Sequence, residues 1–148
     1  MDAPGITAGV LGTLTKLLLW PAYHSTDMEV HRNWLAVTYQ LPLREWYLDT
    51  TSEWTLDYPP FFAYLSWLLA QPAAWIDARI VDLHALNYAA WPCKAYMRAT
   101  VLVTELVLAA ALYAHAQCTP HSESDRILLW SVLLHPGLLI VDHIHFQY

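Results

Sequence analysis

Four apolar stretches, residues 3–23, 61–76, 99–116 and 127–141, set the limits on what this chain can fold into. A helix needs about 20 residues to cross the hydrocarbon core of a bilayer, so length decides how each is read. The first carries Val10, Leu11, Leu14 and the run from Leu17 to Trp20, with Lys16 as its one interior charge. It opens on Asp2 and lacks a small-x-small cleavage site, which favours an uncleaved anchor over a secretory signal. Lys16 lies one turn from Trp20 and Tyr23 and is expected to snorkel toward that interface. The third stretch is a continuous helix former of nearly spanning length, and Glu105 within it is expected to face protein as a packing residue. The fourth is expected to kink at His135-Pro136-Gly137 and then meets the polar run Asp142-His143-Ile144-His145. The second is shorter, follows Pro59-Pro60 and contains Pro72. Its Tyr64, Trp67 and Trp75 suit the membrane surface, so it either lies flat or spans. Lying flat, it leaves three crossings, with residues 21–98 and the Asp142 segment on one side; spanning, it separates them.

Composition narrows the class further. Hydrophobic residues make up 57% of the 148 and charged residues only 14%, about half the soluble norm. Eight Trp and nine Tyr exclude a disordered tail, and seven Lys and Arg against thirteen Asp and Glu leave no footing for a nucleic-acid partner. Cys93 and Cys118 belong to no CxxC pair and read as unpaired thiols.

Charge concentrates in residues 21–59, which hold six acids and two arginines. Thr26-Asp27-Met28-Glu29 has the form of a capping box, and Val30, Trp34, Val37 and Leu41 recur at helical spacing until Pro42. Asp27 falls in the first turn, where the helix dipole favours the ionised carboxylate, as suits a base awaiting a proton. The plainer reading is a surface carboxylate contributing about 0.3–1 kcal/mol to the helix. His24, Asp27, Glu29 and His31 also have the chemistry of metal ligands. Only Asp27 and His31 share a helix face, so no metal is assigned.

A second polar element is Ser52-Glu53-Trp54-Thr55-Leu56-Asp57-Tyr58-Pro59-Pro60. Pro59 restricts Tyr58 to extended conformations and Pro60 can start the next helix. Asp57 can orient a sugar hydroxyl while Trp54 and Tyr58 stack on the sugar's apolar face. Equally, the element can be a loop-to-helix junction whose acid bonds to neighbouring backbone; the residues alone leave both open.

The runs His24-Ser25-Thr26-Asp27-Met28-Glu29-Val30-His31-Arg32-Asn33-Trp34-Leu35-Ala36, Trp54-Thr55-Leu56-Asp57-Tyr58-Pro59-Pro60-Phe61-Phe62 and Gly137-Leu138-Leu139-Ile140-Val141-Asp142-His143-Ile144-His145-Phe146-Gln147-Tyr148 are more specific. Together they resemble the dolichyl-phosphate-glucose glucosyltransferases of the endoplasmic reticulum. The first run sets the chain nearest the branch that adds the second glucose to the lipid-linked oligosaccharide. The resemblance implies an all-α, polytopic membrane protein of GT-C type. About three transmembrane helices are then expected, at 3–23, 99–116 and 127–141, with a luminal loop at 24–98 whose interface helices include 61–76. It implies Asp27 as the general base and Asp57 as the acid of the family's LDYPP motif. Tyr58, Trp54, His24, Arg32 and His145 are the further substrate contacts it implies. The donor would be dolichyl-phosphate-glucose and the acceptor a dolichol-linked oligosaccharide, within a lipid membrane and without cofactor or metal. A β-linked glucosyl phosphate attacked from its opposite face gives an α-glucoside with inversion, so one base suffices and phosphate needs no acid to leave; the α-1,3 position is what the resemblance implies. Family members run well beyond this length, so the chain is expected to be the amino-terminal part of a larger catalyst and incomplete alone. Two other readings remain at this point. One is a proton- or metal-binding membrane protein using Glu105, Asp142, His143 and His145; the other is a non-catalytic membrane fragment.

Overall fold

Residues 3–118 and 123–146 are described by a computed structural model, and no strand occurs among them. The chain is all-α and divides into two compact units, one of His24–Met97 and one of Met1–Tyr23 with Arg98–Tyr148.

In the His24–Met97 unit the helical spacing of Val30, Trp34 and Val37 becomes α2, Asp27–Gln40. The helix stops where Pro42 forces Leu41 into an extended conformation (φ −98°, ψ 151°). Trp34, Ala36 and Val37 form the core with Trp46, Leu56, Ala63 and Leu83. The capping box does not form. Thr26 is already helical in its backbone and its side chain caps nothing; instead Ser25 Oγ accepts from the Asp27 N–H at 3.1 Å. Glu29 has turned away to a buried arginine.

A 3₁₀ turn, Leu43–Glu45, leads toward α3, Pro60–Ile76, which starts on Pro60 behind an extended Pro59. Pro72 stays inside a single continuous helix. α3 buries only Ala63, Ser66, Ala70 and Ala73, a stripe at three- and four-residue spacing that lets it lie close on α2. Phe61 and Trp75 point outward, 85% and 89% exposed, with Tyr64, Trp67 and Leu68 also exposed. A second 3₁₀ turn, Ala78–Val81, follows; Asp77 caps it by accepting from the Arg79 N–H at 3.0 Å.

The other unit contains α1, Ala3–Leu18, most of α4, Trp91–Cys118, then α5, Glu123–Leu133, and a π-helical turn, Leu138–Ile144. Two segments are long and apolar enough to cross a membrane, Trp91–His115 and Ile127–Ile144. They are 28% and 11% buried, so their apolar faces look outward, the reverse of a soluble core helix. α1 is apolar over Thr7–Leu18 but has only 16 residues, about 24 Å of helix. The chain turns at Leu19–Ala22, through bonds such as Ala22 N–H to Leu19 O at 2.9 Å, where Pro21 cannot continue the helical ladder. The expected kink in the fourth stretch is a break at Leu134 and His135, where His135 Nδ1 accepts from the Gly137 N–H at 3.0 Å.

Lys16 does not snorkel. It is 5% exposed and its Nζ forms an ion pair with Glu105, because a charge among apolar helices is stabilised more by an opposite charge than by a distant interface. Glu105 thus faces protein, as expected. Cys93 is buried, Cys118 exposed, and both are free.

Candidate active site

The polar residues singled out in the sequence fall in different surroundings. Asp27 is the first residue of α2, half-buried, in the turn where backbone N–H groups leave the helix end positive. His24 lies just before it, half-buried, with Nδ1 3.3 Å from the Ser25 carbonyl oxygen. Asp57 is exposed, and among the described residues no hydrogen bond or ion pair engages its carboxylate. The junction reading, in which the acid bonds to neighbouring backbone, therefore lacks its bond.

What holds Asp57 in place is α2. Asn33 Nδ2 donates to the Trp54 carbonyl at 3.1 Å, and Trp34 Nε1 donates to the Thr55 carbonyl at 3.1 Å. Tyr47 Oη donates to the Tyr58 carbonyl at 2.8 Å. Partial desolvation of that phenol, and then the neighbouring Tyr64, raise Tyr47 above the ordinary phenol value, so it stays a donor. The Tyr58 ring leans on Trp34, with centroids 4.7 Å apart, and stands edge-on to Phe62 at 5.0 Å. His31 joins the same cluster, edge-on to Trp34 at 5.0 Å. His31 is one helical turn, about 6 Å of rise, beyond Asp27. The loop bearing Asp57 and Tyr58 is thus fastened along the first half of the helix that begins with Asp27. Trp54 is half-buried and engaged through its backbone.

Arg32 is enclosed and engaged by the protein itself. Its side chain is 0% exposed, its Nε and Nη2 grip both oxygens of Glu29 at 2.7 and 2.8 Å, and its Nη1 donates to the carbonyls of Ile80 and Asp82 at 3.1 Å. It ties α2 to the second 3₁₀ turn. His145 is exposed at the end of the π-helical turn and belongs to the other unit; Gln147 and Tyr148 of the same run lie outside the described residues. Among the described residues no three His, Cys, Asp or Glu side chains gather as a metal-ligand set, and Glu29 of the four weighed is taken by Arg32. Glu105, Asp142 and His143 do not form an open path: Glu105 meets Lys16, and His143 is buried with Nε2 donating to the Lys16 carbonyl at 2.9 Å.

Sequence reasoning passed over Asn33, Trp34 and Tyr47 as residues that position the loop, which they do through its backbone carbonyls. Asn33 carried a signal: an amide in the middle of a helix face that is otherwise buried and largely apolar needs a partner.

The family model described as "ALG6, ALG8 glycosyltransferase family" matches residues 12–148. Three relatives carry the name dolichyl pyrophosphate Glc1Man9GlcNAc2 alpha-1,3-glucosyltransferase, the fly one qualified as probable. The Neurospora crassa protein is 52% identical over 145 residues, 97% of this chain and 29% of its own length. The Drosophila melanogaster protein is 49% identical over 93% of this chain and 28% of its own length. The Mus musculus protein is 46% identical over 92% of this chain and 27% of its own length. The chain spans less than a third of the relatives it matches.

Proposed function

The chain belongs to the ALG6, ALG8 glycosyltransferase family, and from that premise we propose that it serves the transfer of glucose from dolichyl-phosphate-glucose to a dolichol-linked oligosaccharide, in an enzyme as long as its relatives. Asp27 is the base. Its carboxylate takes the proton of an acceptor hydroxyl, whose oxygen bonds to the glucose anomeric carbon from the face opposite phosphate. The bond from that carbon to the phosphate oxygen breaks, and dolichyl phosphate leaves with the electron pair. The transition state has oxocarbenium character, and the product is an inverted, α-1,3-linked glucoside. Asp57 orients the acceptor sugar, with Tyr58 and Trp54 beside it. His24 and His145 are further candidates for substrate contact. Arg32 acts through the frame of α2.

One observation carries the reading: a half-buried carboxylate stands in the first turn of α2, while the loop with the unengaged Asp57 is bonded to the same helix. The relatives' names support a dolichol-linked glycan as acceptor. The protein resides in the endoplasmic-reticulum membrane with residues 24–98 on the luminal side. α3 lies along the membrane surface, consistent with its 17 residues, its contact with α2 and its outward aromatic face. The crossings are 3–23, 99–116 and 127–141.

Replacing Asp27 by Asn in the full-length enzyme should reduce glucose transfer by about a hundredfold or more while leaving thermal unfolding unchanged. Retained transfer would move the base to another residue.

A further inference from the structure

His31 has no role in the transfer as set out above, yet its ring is buried where three elements of the His24–Met97 unit meet. It stands edge-on to Trp34 of α2 at a centroid distance of 5.0 Å, tilted against Phe62 of α3 at 5.7 Å, and edge-on to Tyr58 of the loop at 6.4 Å. Trp34 and Tyr58 meet at 4.7 Å, Tyr58 and Phe62 at 5.0 Å, and Trp34 and Phe62 at 5.7 Å. Every pair within the quartet is thus in ring contact. Tilted and edge-on pairs set the positive edge of one ring against the negative face of another, so each contact restricts the orientation of both partners.

Tyr58 is the exposed member of the quartet. Tyr47 holds its backbone carbonyl, which fixes where the residue stands and not where its ring points. Among the described residues no hydrogen bond engages the Tyr58 hydroxyl, so the direction of the ring is set by packing. Trp34 is anchored on its own account, in the core and through Nε1 to the Thr55 carbonyl, and Phe62 is half-buried in the first turn of α3. His31 is braced against both, and with them it supports the Tyr58 ring from a third direction.

We propose that His31 is a positioning residue for the acceptor side of the site: with Trp34 and Phe62 it holds the Tyr58 ring in one orientation, as the wall on which the acceptor sugar is set. The proposal rests on Tyr58 being an acceptor contact. It requires no contact between His31 and substrate and no part for its ring nitrogens, so affinity for the acceptor should suffer while turnover and affinity for the donor should not.

The test uses the full-length enzyme with His31→Ala, His31→Phe, Tyr58→Ala and the double variant His31→Ala with Tyr58→Ala, assayed for glucose transfer with acceptor and donor varied in turn. His31→Ala should raise KM for the acceptor about fivefold, the order of one lost ring contact, with kcat and KM for the donor within about twofold of wild type. His31→Phe, which keeps a ring, should return the acceptor KM to within about twofold of wild type. Because His31 acts through Tyr58, the double variant should be no worse than Tyr58→Ala alone. Wild-type acceptor KM in His31→Ala beside a raised one in Tyr58→Ala overturns the proposal, as does a His31→Phe enzyme as impaired as His31→Ala, or a double variant that adds the full loss of His31→Ala. Should His31→Ala fail to accumulate, His31→Leu, which keeps volume without a ring, takes its place with the same expectation. Wild-type acceptor KM in Tyr58→Ala overturns instead the assignment of Tyr58 to the acceptor, and the proposal falls with it.

Discussion

Arg32 and Glu29 form a two-pronged ion pair, one turn apart on α2, with the arginine wholly enclosed and the carboxylate 5% exposed. Because both charges are out of water, removing one strands the other. Arg32→Met should destabilise the His24–Met97 unit by about 3–5 kcal/mol. The paired change Glu29→Leu with Arg32→Met should return most of that. Thermal unfolding of the single and double variants checks it; a single variant as stable as the parent would mean that the pair is open to solvent.

The Lys16–Glu105 pair invites the same experiment in the other unit, with a different bearing on function. Lys16→Met or Glu105→Gln alone should lower the unfolding temperature, while Lys16→Met with Glu105→Leu should come back near the parent. Glucose transfer by the double variant should stay within about twofold of the parent, and a proton- or metal-conducting role for Glu105 would instead show as a lost flux. Membrane-reconstituted assays separate the two.

Ser25 and Thr26 make a local test of how α2 begins. Ser25→Ala should cost about 1 kcal/mol, since its Oγ holds the Asp27 N–H, whereas Thr26→Ala should be nearly neutral. Denaturant titration of both variants distinguishes them, and the opposite order would restore the Thr26 cap.

Asp77, Arg79 and Tyr88 form a cluster, with Asp77 and Tyr88 half-buried and Arg79 exposed, whose titration sets a pH window. Tyr88 Oη donates to Asp77 at 2.5 Å, and this bond first, then the Arg79 N–H, holds the Asp77 carboxyl below its ordinary value of about 3.9. A depressed carboxylate adds stability that is fully present above the unfolded value and is lost as pH falls through the folded one. Tyr88 is raised, mainly by the same bond, so its contribution is present below about pH 10 and fades above it. Between those limits stability should be flat with respect to this cluster. Tyr88→Phe should shift the onset of acid unfolding to higher pH, readable by tryptophan fluorescence.

Asn33 and Trp34 should affect affinity more than turnover. Asn33→Ala releases the Trp54 carbonyl and Trp34→Phe the Thr55 carbonyl, each loosening the loop that bears Asp57. Either change should raise KM for the glycan acceptor several-fold with kcat less affected, as should Asp57→Asn. Steady-state transfer kinetics with varied acceptor decides, and a pure kcat effect would place Asp57 nearer the chemistry.

Much of this was legible in the residues because the signals were local. Val30, Trp34 and Val37 announced α2, Pro42 its end and Pro60 the start of α3, since spacing and proline act over a turn or less. The family runs around Asp27 and Asp57 were legible for the same reason. What escaped were long-range partnerships. Arg32 finds its carbonyls 48 and 50 residues away, and Lys16 finds Glu105 across 89 residues, so no window around either reveals its partner. The T-x-x-E pattern misled because Glu29 had a stronger acceptor role inside the unit than at the helix end, and Ser25 was one residue better placed.

The loop at 54–58 is gripped at three carbonyls, by the buried Leu56 side chain and by the Tyr58 ring against Trp34, and not through the Asp57 carboxylate. Its outline is consequently indifferent to the side chain at position 57. Asp57 itself can be exchanged without loosening the frame, so any change in acceptor preference on its substitution would be read free of a folding defect.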